Sequence, residues 1–140
     1  MNNRLLAFDY GTKRIGVATG NKVTDTTQAL STLSAKSGKP NWQALDDVVS
    51  EWRPGLFVVG LPLEMDGVEG EMCRQARKFG QRVSSRYGIP VEFIDERLTS
   101  IGADNLIRDI ADGRNPNARQ RAARDNLAAE LILKAFLEQN

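Results

Sequence analysis

The chain has no histidine among its 140 residues and a single cysteine, Cys73. Without imidazole, no Ser-His-Asp or Cys-His pair can form, and no ring nitrogen can act as base or metal ligand. With one thiol besides, a zinc site built from nitrogen and sulfur is excluded. The lone cysteine also rules out an intramolecular disulfide framework and fits a reducing compartment. No run approaches the roughly 18 apolar residues of a membrane span, and the first residues carry no apolar stretch of the signal type. A cytoplasmic protein without membrane association is the expectation. Charge of one sign is lacking too: 19 Lys and Arg stand against 18 Asp and Glu, a net charge of +1. Any attraction to nucleic acid must then come from local patches. Carboxylate, lysine, hydroxyl and hard-metal chemistry remain.

The length suits one domain over residues 1–140, burying roughly two-thirds of the surface of its unfolded chain. There is no internal repeat, low-complexity tract or long linker. Residues 4–9 and 14–20 read as two strands joined by a tight turn at Tyr10–Lys13, and residues 26–33 as a third strand of the same antiparallel meander. Ser34–Pro40 reads as a loop. Asn41 is placed to cap a helix through Trp52 with Leu45, Val48, Val49 and Trp52 on one face. Leu56-Phe57-Val58-Val59-Gly60 is an unbroken apolar run, as in a parallel strand covered on both sides. A helix over about Gly70–Tyr87 presents Met72, Ala76, Phe79, Val83 and Tyr87 on one side and Arg74, Lys78, Arg82 and Arg86 on the other. Gly88 caps it, and Pro90–Asp95 forms the next strand. A helix from Thr99 or Ser100 to about Ala111, a loop over Asp112–Ala118, and a last helix from about Arg119 complete the chain. That last helix turns Leu127, Leu131, Leu133 and Phe136 toward a core. The order β-β-β-α-β-α-β-α with a terminal helix predicts an α/β fold with a mixed sheet.

Three acids stand on rigid elements. Asp9 closes the first apolar strand and is followed by Gly11, Thr12, Lys13 and Arg14. Asp95 and Glu96 end another strand, where alternation sends only one of them to the face of Asp9. Parity alone does not choose, because Val91, Phe93 and Ile94 do not alternate cleanly. Asp125 lies in the last helix ahead of Ala128 and Ala129, small residues that let a helix approach a sheet. Each acid alone has an ordinary reading: a turn cap, a solvated strand end paired with Arg97, an ion pair with Arg121 at i−4. Arginines 119, 121 and 124 open that helix against its dipole, which hints at an anion nearby. Should the three acids converge, they can hold hard divalent cations. Two such ions about 4 Å apart activate water and stabilise the leaving oxygen of a phosphodiester. Mg²⁺ needs only oxygen ligands, so the absence of histidine is no obstacle. The stripes Arg74–Arg86 and Arg108–Arg124 can meet phosphates without reading bases, or simply be solvated.

The chain resembles the bacterial YqgF/RuvX proteins, known as Holliday-junction-resolvase-like proteins or pre-16S rRNA nucleases, over essentially its whole length. The matching segments run from Leu6 to Ala18, from Val59 to Leu63 with Met65-Asp66-Gly67, from Asp95 to Ser100, and at Asp125 with Ala128-Ala129. The resemblance implies an RNase H-like fold: a five-stranded mixed sheet, three antiparallel strands then parallel ones, flanked by helices. It implies a catalytic, metal-binding site at Asp9, Glu96 and Asp125, which favours Glu96 over Asp95. The chain departs from the family at Glu64, where many relatives have Asn, and at Arg124, where many are apolar.

The expected function is a Mg²⁺- or Mn²⁺-dependent nuclease, a hydrolase that matures the 5′ end of 16S rRNA in ribosome biogenesis, with pre-ribosomal particles as its setting. Thr12, Lys13, Arg14, Arg97 and Arg121 are the expected substrate contacts. A Holliday junction resolvase on four-way DNA is the alternative, and a two-fold homodimer would explain symmetric cutting. Two further readings are a non-catalytic nucleic-acid-binding or transcription-associated factor, and an ATP-binding relative of the actin type. The latter builds its cleft from two copies of the fold, and 140 residues hold one.

Overall fold

The computed structural model describes residues 2–63, 67–96 and 118–139, with side chains in the last segment from Asp125 onward. Its elements are β1 (Arg4–Asp9), β2 (Arg14–Asn21), β3 (Thr26–Ala29), β4 (Leu33–Lys36), β5 (Lys39–Pro40), α1 (Trp42–Trp52), β6 (Leu56–Leu61), α2 (Glu71–Tyr87), β7 (Val91–Asp95) and α3 (Ala118–Gln139). The helix expected after Thr99 and most of the loop before Ala118 lie outside the described residues, as does Glu64.

The strands form one mixed sheet in the order β5-β4-β2-β1-β6-β7, with β3 also on β2. β1 and β2 are antiparallel, whereas β6 and β7 run parallel to β1. The carboxyl ends of β1, β6 and β7 therefore share one edge. The expected five strands are seven among the described residues. The difference lies wholly in the meander. Ala18 faces Ala29 but Ile15 faces Leu33, so three steps along β2 match four along its neighbour. The expected third strand is thus broken by a bulge into β3 and β4. The expected loop at Ser34–Pro40 instead holds a small hairpin, β4 on β5, turning through Ser37 and Gly38 at positive φ.

Local chemistry accounts for the helix limits. The Asn41 side chain accepts the Ala44 N–H, and α1 stops where Arg53 turns left-handed. Gly88, at φ 66°, ends α2, its N–H reaching the Ser84 carbonyl.

Each face of the sheet has its own core. On one, Leu6, Phe8, Val17, Phe57 and Val59 pack against Leu45 and Val49 of α1 and Cys73, Ala76, Phe79 and Val83 of α2. On the other, Leu5, Ala7, Ala18, Val58 and Ile94 meet Ala129, Ile132, Leu133, Ala135 and Phe136 of α3. Three expected core residues fall outside both cores, Leu131 among them as a partly buried side chain. Met72 and Leu127 are each 40% exposed. The buried stripe of α3 is Ala129, Ile132, Leu133 and Phe136, which holds helical spacing and leaves Leu127 outside it. In α2 the buried position falls to Cys73. No helix among the described residues is long and apolar enough to cross a membrane.

This packing predicts unequal costs for two leucines on one helix. Leu133→Ala, emptying a fully buried site, should lower stability by about 2–5 kcal/mol, and Leu127→Ala by less than about 1 kcal/mol. Urea unfolding of the two variants checks the assignment.

Candidate active site

Alternation along β1 sends Leu6 and Phe8 to the α1–α2 face and Leu5 and Ala7 to the α3 face. Asp9, next in the second series, emerges on the α3 side. In β7, Ile94 packs on the α3 side and Phe93 on the other. Glu96, directly after the strand, continues the Ile94 series, and Asp95 does not. The clean alternation missing from the sequence is present in the folded strand, where Val91 and Phe93 pack on the α2 side and Ile94 on the α3 side.

Asp9 and Glu96 are hydrogen-bonded to each other. They stand on β1 and just beyond β7, with β6 between them. Gly60 of β6 makes the reach feasible. A Cβ there would lie 2.7 Å from Glu96 Oε1 and 2.6 Å from Ile132 Cδ1, so the missing side chain is the passage that Glu96 occupies.

Asp125 arrives by a similar device. Asp9 is directly opposite Gly16 in the β1–β2 ladder. A Cβ on Gly16 would lie 2.0 Å from the Asp125 carbonyl oxygen, so the backbone of α3 rests on the bare strand beside Asp9. The next residue, Asn126, secures this approach. Its Oδ1 accepts from Thr32 Oγ1 at 2.9 Å and from the Val17 N–H at 3.4 Å. It thereby bridges β2 to the bulge between β3 and β4. Asn126 is absent from the expected site residues. Its signal in the sequence is a poor helix former placed mid-helix beside an acid and followed by small residues.

Electrostatics mark the cluster. Asp9 titrates well above the usual carboxylate range, first because burial penalises its charge, then through the charge and hydrogen bond of Glu96 and the charge of Asp125. Glu96 is raised as well, by burial and by the charge of Asp95, although the hydrogen bond from Asp9 opposes this. The contact between the two therefore favours a protonated carboxyl on the Asp9 side, where the hydrogen bond raises Asp9 and lowers Glu96. Asp125 is engaged differently: Arg14 Nε donates to its Oδ2 at 2.7 Å, with both side chains partly exposed. Among the described residues no three acids close into a metal cage. The arrangement is a hydrogen-bonded pair with a third acid held beside it on arginine.

The expected substrate contacts separate. Arg14 is bound to Asp125. Lys13 is exposed and Thr12 partly buried, and their carbonyls accept the Ala35 and Gly38 N–H groups, tying the turn to the β4–β5 hairpin. Arg97 lies outside the described residues; Arg121 is within α3, but its side chain lies outside them.

The RuvX family, described as Holliday junction resolvase, matches residues 3–139. The chain belongs to the RuvX family. Proteins bearing the name "Putative pre-16S rRNA nuclease" include one from Saccharophagus degradans, 46% identical over 136 residues, covering 97% of this chain and 94% of that one. Another, from Chromohalobacter salexigens, is 48% identical over 132 residues, covering 94% and 87%. Among solved structures, Thermus thermophilus RuvC in complex with Holliday junction substrate superposes with a TM-score of 0.55 at 14% identity, covering 98% of this chain and 96% of that one. The fowlpox virus Holliday junction resolvase gives 0.56 at 14% identity, covering 98% and 99%. At that identity the likeness concerns the fold, which is RNase H-like. Family membership and fold together make the RuvX-family chain a nuclease.

The buried pair and the close helix contact each have a measurable consequence. Because the folded state holds a proton on Asp9 that the unfolded chain releases at about pH 4, stability should fall as pH rises above that value. Asp9→Asn should remove this loss: in EDTA, its melting temperature should exceed that of wild type at about pH 8, the gain shrinking toward about pH 4. Gly16→Ala should push α3 off the sheet and cost about 1–3 kcal/mol, read by urea unfolding.

Proposed function

We propose that this protein is a divalent-metal-dependent endonuclease that trims the 5′ end of 16S rRNA precursor, in the cytoplasm and within pre-ribosomal particles. The observation that carries the reading is the Asp9–Glu96 pair, two half-buried carboxyls that meet over Gly60 at the carboxyl edge of parallel strands, with Asp125 alongside. Clefts at that edge are where open α/β sheets bind their ligands. The names of the relatives supply the substrate.

The donor set fits a hard cation. Mg²⁺ or Mn²⁺ is held through one or two carboxylates, its remaining positions going to water and substrate phosphate, and Asp9 with Glu96 offers two. When bound, such an ion supplies Lewis acidity and lowers the pKa of the attacking water. Asp9 and Glu96 would hold such an ion through their carboxylates, which would have to be deprotonated to do so. Asp125 completes the acidic site once Arg14 turns from it to a phosphate. Thr12, Lys13, Arg97 and Arg121 serve as the other phosphate contacts, orienting the strand without reading its bases. Residues 1–140 act as one nuclease domain.

The fold neighbours favour a second reading, resolution of four-way DNA junctions, for which a homodimer would place two sites in two-fold symmetry. Cleavage of 5′-extended 16S precursor RNA and of a synthetic four-way junction, with Mg²⁺, Mn²⁺ or EDTA, separates the two. The RNA should be cut with metal and left intact in EDTA, and Asp9→Asn and Glu96→Gln should each lose at least about 100-fold in rate, about 2.7 kcal/mol of barrier. Cutting of the junction alone would transfer the proposal to the resolvase. A folded wild type that cuts neither would overturn it in favour of a binding role, and an Asp9→Asn variant of undiminished rate would remove the acids from the mechanism.

A further inference from the structure

Asp9 and Tyr10 are adjacent but leave the sheet on opposite faces. Tyr10 turns to the α2 side, where its ring lies 5.1 Å from that of Phe79. Its hydroxyl donates to the Gly38 carbonyl at 3.0 Å and so holds the β4–β5 hairpin against the body of the protein. Gly38 suits this contact twice over. Its φ is +81°, and a Cβ there would lie 2.3 Å from the Tyr10 hydroxyl oxygen.

Between that hairpin and α2 runs a cleft of about 380 Å³ with Tyr10 and Phe79 among its lining residues. Its walls carry Lys39 from the hairpin and Arg74, Lys78 and Arg82 from successive turns of α2. One acid, Glu71, joins them, and it is spent on Arg74 at 2.9 Å. At the far end of the same helix stripe Arg86 is bound to Asp46. Lys39, Lys78 and Arg82 have no ion pair among the described residues, although acids are as common in this chain as bases. The stripe of α2 is therefore divided: its ends are neutralised, and its middle is left cationic where it faces the cleft.

We propose that this cleft seats the phosphodiester backbone of the nucleic acid on the far side of the sheet edge from the acids, so that the strand entering the Asp9 site is gripped one step of the chain away. The proposal deepens the nuclease reading and rests on it. The cations contact phosphate oxygens and release counterions, and affinity gained here is independent of base sequence and steep in salt. A strand crossing the carboxyl edge passes from the α3 face to the α2 face over Asp9 and Tyr10. The hairpin thus acts as the outer wall of a substrate path.

The test measures binding apart from cleavage. In an Asp9→Asn background with EDTA, anisotropy of a labelled 5′-extended 16S precursor RNA is followed from about 50 to 200 mM salt. Lys78→Gln/Arg82→Gln should reduce the slope of log affinity against log salt by about 2, one for each phosphate no longer neutralised. Lys78→Arg/Arg82→Lys should keep the slope. Lys134→Gln, which removes an exposed cation on α3, should keep it too. An unchanged slope for the double Gln variant, with urea unfolding showing it folded, would overturn the proposal. So would a fall of about 1 with Lys134→Gln, one charge's share of the same effect, which would reduce it to net charge. A nuclease abolished by Asp9→Asn whose double Gln variant keeps its slope leaves the enzyme reading intact and removes the cleft. A reduced slope beside an Asp9→Asn protein that still cuts does the reverse.

Discussion

The site depends on how closely α3 can lie on β2. The helix backbone touches the strand at Gly16, where the Asp125 carbonyl occupies the space a side chain would need. Close-packed interiors do not absorb such an intrusion cheaply. Directly across the ladder from Gly16 is Asp9, so the contact that docks the helix also delivers the third acid. The bulge between β3 and β4 belongs to the same device. It breaks regular pairing beside β2, and the Asn126 side chain takes the Val17 N–H while also binding Thr32. A buried backbone donor is thereby satisfied by the helix that carries Asp125, and the register of that helix is coupled to the sheet.

A second absence of side chain completes the cluster. Glu96 and Asp9 are separated by a whole strand, and the two meet over Gly60. Bringing them together away from water is electrostatically unfavourable, and both carboxyls are pushed up from their ordinary range. Arg14 tempers the third acid. The cluster is thus strained toward accepting positive charge, the condition expected of a site that trades stability for function. On the opposite face, the cations of α2 are segregated behind Tyr10 and Phe79, and the sheet stands between the two signs of charge.

Much of this was legible from the residues. The parallel character of β6, the Asn41 and Gly88 caps, and the two-sided order of strands and helices follow from apolar runs and cap chemistry that act within a few residues. Where reading failed, the cause was contact across the chain. The bulge in the meander answers to Asn126, whose partner Thr32 lies 94 residues earlier in the chain. The β4–β5 hairpin, expected to be a loop, is held by Tyr10 and by the Thr12 and Lys13 carbonyls. Leu127 is as apolar as Leu133, but the face of α3 that meets the sheet is the one through Ala129, Ile132, Leu133 and Phe136, which leaves Leu127 exposed.

By itself, the sequence determined the chemical repertoire and the acids. A chain without histidine and with one thiol is left with oxygen donors for any metal, and motifs around Asp9, Glu96 and Asp125 carry the family resemblance. The tertiary structure decided which acids touch and which are masked. Glu96 rather than Asp95 meets Asp9 because the pleat of β7, with Ile94 packed on the α3 side, sends residue 96 to that face. Asp125 is paired with Arg14 because the helix lands on Gly16, and the middle of the α2 stripe stays cationic because its neighbours there are a hairpin and two aromatic rings. Spacing along a chain states which residues can share a face, whereas distance between faces belongs to packing, where a missing Cβ at Gly16 or Gly60 sets what can come near.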